Sequence, residues 1–168
     1  MNNHSSTQAG IPGDILLYPA NATSKSIISR AVVAGEILAG IGGKGLYSHA
    51  AVVATTPGYQ YEAKFPFTGR FKIDTSRPYE VWRLGPLTEG ERLGIVRWCQ
   101  DHRGYPYDLP GLLTFGLLKL PGFFYCSRFA CLAYASVGRH PGDLIMSPDS
   151  IPLYPGARMI GKFSPKGA

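Results

Sequence analysis

The run Ser48 to Thr56, SHAAVVATT, constrains the fold more than any other part of the chain. Its side chains are small and apolar on both faces, which suits a central strand in a sheet covered on both sides. Pro57-Gly58 signals a turn, and Tyr59 to Phe65 then alternates: Tyr59, Tyr61, Ala63 and Phe65 share one face, Gln60, Glu62 and Lys64 the other. The two runs are expected to form a hairpin in which Val53 faces Glu62. Gly13 to Tyr18 reads as a short buried strand, Tyr79 to Leu84 as another, and Ala157 to Phe163 as the last.

Helices are expected at four places. Ser24 or Ser26 caps one running to about Leu38, stopped by the glycines of Gly40 to Gly45. Those glycines lack the ending of a phosphate-binding loop. Thr88 caps a second helix to His102, with Glu91 completing a capping box. His102 is expected on the surface, near the negative end of the helix dipole. A third, short helix lies within Tyr107 to Leu118 with Pro110 in its first turn. The fourth runs from Ser127 to Val137, presents Ala130, Ala133 and Val137 for close packing on a sheet, and ends at Gly138. From Arg139 the chain reads as loop up to the last strand.

Composition narrows the class. A chain of 168 residues with 45% hydrophobic and 17% charged residues is a globular domain, expected here over residues 11–168 behind a flexible tail at 1–10. That tail has neither a basic nor an apolar signal region, so synthesis without secretory targeting is expected, in the cytoplasm. No apolar run reaches the ~18 residues of a membrane span. Three cysteines without a CxxC pair argue for reduced thiols, no disulfide framework and no structural zinc. Net charge is +6, but the cations are scattered, so nucleic acid is not expected as a partner, while an anionic surface is permitted. No cofactor motif is present.

The chemistry-bearing residues begin with Tyr125-Cys126-Ser127, where the apolar loop Leu120-Pro-Gly-Phe-Phe-Tyr125 meets the fourth helix. A thiol at a helix N-terminus meets the positive end of the dipole and unpaired amides, which favour thiolate. A nucleophilic cysteine needs a base, and the base an orienting group. His49 opens a strand otherwise built of Ala, Val and Thr, where an imidazole has no packing reason to be. Glu62 is the odd carboxylate of an aromatic strand. Parity puts the two on one face of the sheet, but the simple hairpin register leaves them four residues apart along the strands, roughly 13 Å. Structural readings stay open for each: Cys126 as a buried small hydrophobe, His49 as a satisfied strand-end histidine, Glu62 as a solvated charge. Cys99 and Cys131 read as core. His4 and His140 lie in the tail and in a loop.

In order and spacing, Gly13-Asp14, Tyr47-Ser48-His49-Ala-Ala-Val-Val, Tyr61-Glu62-Ala63, Gly104-Tyr-Pro-Tyr-Asp108 and Tyr125-Cys126-Ser127 resemble the circularly permuted NlpC/P60 superfamily, within it the YiiX/YebB-like group. The resemblance runs from about residue 11 to 155, and histidine preceding cysteine marks the permuted branch. It implies an α+β, papain-like fold: an antiparallel sheet, partly barrel-like, with the nucleophile helix packed against it. It also implies a cysteine hydrolase with Cys126 as nucleophile, His49 as base and Glu62 as orienting group. Tyr125 becomes an oxyanion helper, Asp14 a support for the site or the strand start, and Ser48 part of the histidine motif. Peptide or isopeptide bonds are the implied substrates, peptidoglycan stem peptides first. A lipid ester or amide is the alternative, and a non-catalytic binding protein a further one. Tyr-Cys-Ser-Arg departs from the Asn-Cys-Glu-His signature of the lecithin-retinol acyltransferase-like branch, which weakens an acyltransferase reading. The lack of an export signal and of a wall-binding module suits a phage product or an effector exported by a non-signal route.

Overall fold

In the computed structural model the SHAAVVATT run becomes β2 (Tyr47–Val53), inside a six-stranded antiparallel sheet. The structure describes residues 10–20, 46–113, 121–139 and 147–165. The expected tail, the helix from Ser24 or Ser26 to Leu38, Gly40 to Gly45, the far part of the Tyr107–Leu118 helix and the His140 loop lie outside the described residues.

The other strands are β1 (Ile15–Pro19), β3 (Tyr59–Lys64), β4 (Phe67–Lys72), β5 (Tyr79–Leu84) and β6 (Ala157–Phe163), in the spatial order β4-β3-β2-β1-β5-β6. β4 has no counterpart among the sequence expectations. The sheet is open, with β4 and β6 as its edges. The fold is thus α+β as expected, but the sheet does not close into a barrel.

Both faces of the central strands are covered, as their composition requires. On one face Ile15, Leu17, Ala50, Val52, Tyr61 and Ala63 pack with the helices α1 (Glu89–Asp101) and α3 (Cys126–Ala135). On the other, Leu16, Tyr18, Ala51, Val53, Tyr79 and Val81 form a second cluster, with Ile73, Ile160 and Phe163 against it. Fully burying side chains such as Leu17, Val52 or Phe129 contributes roughly 1.5–3 kcal/mol each.

α1 is capped as its sequence specifies: the Thr88 hydroxyl accepts from the Glu91 amide at 3.2 Å, and the Glu91 carboxylate accepts from the Thr88 amide at 2.7 Å. His102 is its C-cap, and it corrects the surface expectation. The ring is half-buried, stacked 3.9 Å from Trp98, with Nδ1 2.8 Å from the Trp98 carbonyl. α3 lies close on the sheet because Ala130 and Ala133 face it. It also lies close on α1, where a Cβ at Gly94 would come within 2.6 Å of Val137. α3 ends at Ala135 with Ser136 as its C-cap, short of the expected Val137; Gly138 then turns the chain at φ +74°, and the Arg139 amide returns to the Tyr134 carbonyl at 3.1 Å. A short α2 (Leu109–Leu113) and a 3-10 helix (Pro148–Leu153) complete the described elements.

Candidate active site

Cys126 is the first residue of α3, and Tyr125 is its N-cap in extended conformation, with no side-chain capping bond. The start of the helix is therefore left electropositive toward the thiol. A buried ion pair fixes this junction. The Asp108 carboxylate accepts from Arg128 Nη1 at 2.9 Å and from the Gly111 amide at 2.8 Å. Arg128 also donates to the Phe123 carbonyl at 3.2 Å, and the Asp108 amide to the Phe124 carbonyl at 3.0 Å. Gly111 is required there, since a Cβ would sit 2.3 Å from the Asp108 carboxylate.

His49 is aimed by a bulge. Tyr18 of β1 pairs with His49, but the next residue, Pro19, pairs with Tyr47, so Ser48 is an extra residue in β2. Bulges re-aim side chains and bend a strand locally. Ser48 is buried at that bulge. The start of β2 is clamped by Asp149, whose carboxylate accepts from the Tyr47 amide at 2.7 Å and the Leu46 amide at 3.0 Å.

The register between β2 and β3 differs from the expected one by two residues: Val53 faces Gln60, not Glu62. Counted on in the observed register, Glu62 lies diagonally across from His49, a separation of about 7–8 Å that long side chains bridge. Glu62 accepts a hydrogen bond from His49 Nε2. The Cys126 thiol lies beside the same imidazole and adds to the upward pull on its pKa. One ring thus stands beside both the carboxylate of β3 and the thiol of α3. The β2–β3 ladder is confined to Val52 and Val53, so the strands are unzipped at the end where this ring sits.

The electrostatics follow from that placement. Burial pushes the His49 pKa down, but the Glu62 carboxylate and Cys126 outweigh it, and the net shift is upward. For Glu62, burial acts upward and His49 outweighs it, so the net shift is downward. Both shifts describe an imidazolium held against a carboxylate. Cys126 is 1% exposed, and 15% of the His49 side chain reaches solvent. Burial drives the Cys99 and Cys131 thiols well above their ordinary range, which suits their reading as core.

No family model matches the chain, and no curated protein matches its sequence.

Three residues extend it beyond the sequence reading. Gln60 shares the Glu62 face of β3 and adds to the downward pull on that carboxylate's pKa, while its Oε1 accepts from the Tyr18 hydroxyl at 2.5 Å. The Tyr18 ring lies 5.8 Å from the His49 ring. Tyr107, next to Asp108, is buried and bridges to Phe124, two residues before Cys126. Burial first of all pushes the Tyr125 hydroxyl up to about 12. Asp14 belongs to the opposite end of β1 from the His49 pair. It receives Arg83 at 2.8 and 2.9 Å, Arg92 at 3.3 Å and the Ile11 amide at 2.9 Å, and so supports the strand start. Among the described residues, no group of three His, Cys, Asp or Glu side chains could hold a metal ion, and no helix is long and apolar enough to cross a membrane.

Proposed function

We propose that this protein is a cysteine hydrolase that cleaves an acyl bond through a Cys126 thioester. The observation that carries the reading is the His49 ring bonded to Glu62, with a thiol at a helix N-terminus close enough to act on the same imidazole. A neighbouring imidazolium is the partner that a reactive thiolate needs.

Cys126 sulfur attacks the carbonyl carbon, and the carbonyl electrons move to oxygen. The Cys126 amide at the helix start is the first donor for that oxyanion. Tyr125, the residue beside Cys126, and the buried Tyr107, which bridges to Phe124, are the candidates for the second. His49 gives its proton to the leaving nitrogen or oxygen as that bond breaks, leaving the thioester. His49 then takes a proton from water, whose oxygen attacks the thioester, and the acid leaves as Cys126 is restored. Glu62 keeps the imidazole oriented and charged.

The papain-like, permuted NlpC/P60 reading belongs to this proposal. It is supported by the α+β sheet with the nucleophile helix packed on it. An amide in a peptide is the first substrate class, with peptidoglycan stem peptides leading. A lipid ester or amide is the second, favoured by the exposed Phe65 and Phe67 near Tyr107. Labelling with a mild thiol electrophile near pH 6 tests the chemistry: Cys126 is expected to react much faster than Cys99 or Cys131. Equal, slow labelling of all three would reject the enzyme reading. Mass spectrometry after incubation with peptidoglycan and, separately, with phospholipid separates the two substrate classes.

A further inference from the structure

The β3–β4 turn is held rigidly beside the candidate nucleophile yet presents aromatic rings to solvent. Phe65 is 57% exposed, Phe67 53% and the adjacent Tyr105 38%. Exposed rings at a flexible tip would be unremarkable, but this turn is clamped. The Tyr107 amide donates to the Pro66 carbonyl at 2.9 Å, Thr68 to the Tyr105 carbonyl at 2.8 Å, and Gly104 to the Thr68 carbonyl at 2.9 Å. Phe65 meets the Tyr107 ring edge-on at 6.5 Å, and Tyr107 bridges to Phe124, two residues before Cys126. The rings are thus tied to the segment that carries the thiol.

Two exposed cations flank the turn in sequence, Lys64 before Phe65 and Arg103 before Gly104-Tyr105, while Arg70 and Lys72 lie farther along β4. The Lys64 ammonium and the Arg70 guanidinium lie over the rings of Phe71 and Tyr59, at 5.5 and 5.1 Å. Exposed aromatic rings at a tip flanked by Lys64 and Arg103 match a bilayer interface with anionic headgroups.

We propose that this aromatic and cationic tip docks on an anionic phospholipid surface and holds the Cys126 site at the headgroup level. Docking does not depend on the hydrolase reading; that reading adds only that the acyl carbonyl attacked there is a lipid's.

Co-sedimentation of the full chain with phosphatidylcholine vesicles, with and without phosphatidylglycerol, tests the docking. Binding is expected on the anionic vesicles and to weaken with salt. Phe65→Ser with Phe67→Ser is expected to weaken it more than tenfold. Lys64→Glu with Arg103→Glu is expected to weaken it roughly thirtyfold on anionic vesicles and little on neutral ones. The two charge positions are exposed, so that pair carries the test if the aromatic pair fails to fold. Cys126→Ser is expected to bind like the wild type. No binding by the wild type, binding untouched by both pairs, or retention on insoluble peptidoglycan in place of vesicles would each overturn the docking. Fast Cys126 labelling beside absent vesicle binding would reject docking alone, whereas vesicle binding without thiol reactivity would reject the hydrolase alone.

Discussion

β1 ends in a buried charge cluster at one end and touches another at the other, and the two behave differently. At the Asp14 end, a fully buried carboxylate is gripped by Arg83 through two bonds, by Arg92 and by an amide. Its partners are guanidiniums, which keep their protons throughout the working range. At the Tyr18 end, the Glu62 carboxylate meets an imidazole, and the imidazole meets a thiol. Each of those groups can gain or lose a proton, and part of the histidine reaches solvent. Buried charge therefore marks structure at one end and candidate chemistry at the other. What separates them is whether the proton can move and whether a carbonyl can come near.

The largest effect expected from that contrast is at Cys126. Replacement by Ala should lower turnover of an activated ester or amide by at least about 10⁴-fold, because the covalent step disappears. Folding should change little, which a thermal melt checks. Asp14→Asn should do the reverse. Removing a carboxylate from between two arginines should cost about 3 kcal/mol of stability in urea unfolding, toward the lower end for buried pairs because both guanidiniums keep some solvent. Turnover per folded molecule should stay at the wild-type value. A catalytic loss in Asp14→Asn with intact stability would erase the distinction between the two ends.

Glu62→Gln comes next, with about a 10²-fold loss of turnover and a displaced pH profile. The His49 pKa is raised, so its contribution to stability is full below about 6.5 and is lost as pH rises through the raised value. The Glu62 pKa is lowered, so its contribution is present above about 4.3 and is lost as pH falls through the lowered value. The stability gap between wild type and Glu62→Gln is thus expected to be widest around pH 5 to 7 and to narrow toward both extremes. In kcat/KM against pH, the alkaline limb reports loss of the His49 proton. Without Glu62 it should move down toward an ordinary histidine value. An unmoved limb would mean that another group holds that proton.

Much of the frame was legible in local sequence because local rules set it. The capping box at Thr88 and Glu91, the turn at Gly138 and the small face of α3 are each decided within a turn or two of chain. β4 was not legible: Gly69 interrupts its alternation, and the Phe71 ring occupies the space a Cβ there would need. The triad was legible as residue types and parity, but not as a distance. Two backbone details close the expected gap, the two-residue shift that puts Val53 opposite Gln60 and the extra residue at Ser48. Neither follows from a pattern of period two, since both depend on how β1, β2 and β3 fit together. The same holds for Tyr18 and Gln60, which become neighbours only through the strand order, and for Tyr107, which the Asp108–Arg128 pair carries to the cysteine.

Tyr18→Phe gives the smallest expected effect and the sharpest use of the comparison, because it alters the same strand as Asp14→Asn at the other end. The substitution keeps the ring that lies against His49 and over which Arg77 sits at 4.1 Å. It removes only the hydroxyl that donates to Gln60 Oε1. A buried acceptor left without its donor costs about 1–3 kcal/mol; Gln60 is a neutral amide, so a loss toward the lower end of that range is expected in urea unfolding. If Gln60 only fills space, turnover should follow the folded fraction and nothing else. If it steadies Glu62, kcat should fall a few-fold at unchanged KM, and the alkaline limb should move in the same direction as in Glu62→Gln but less far. A stability loss with an unmoved pH profile would place Tyr18 with Asp14, as a structural bond at the edge of the site.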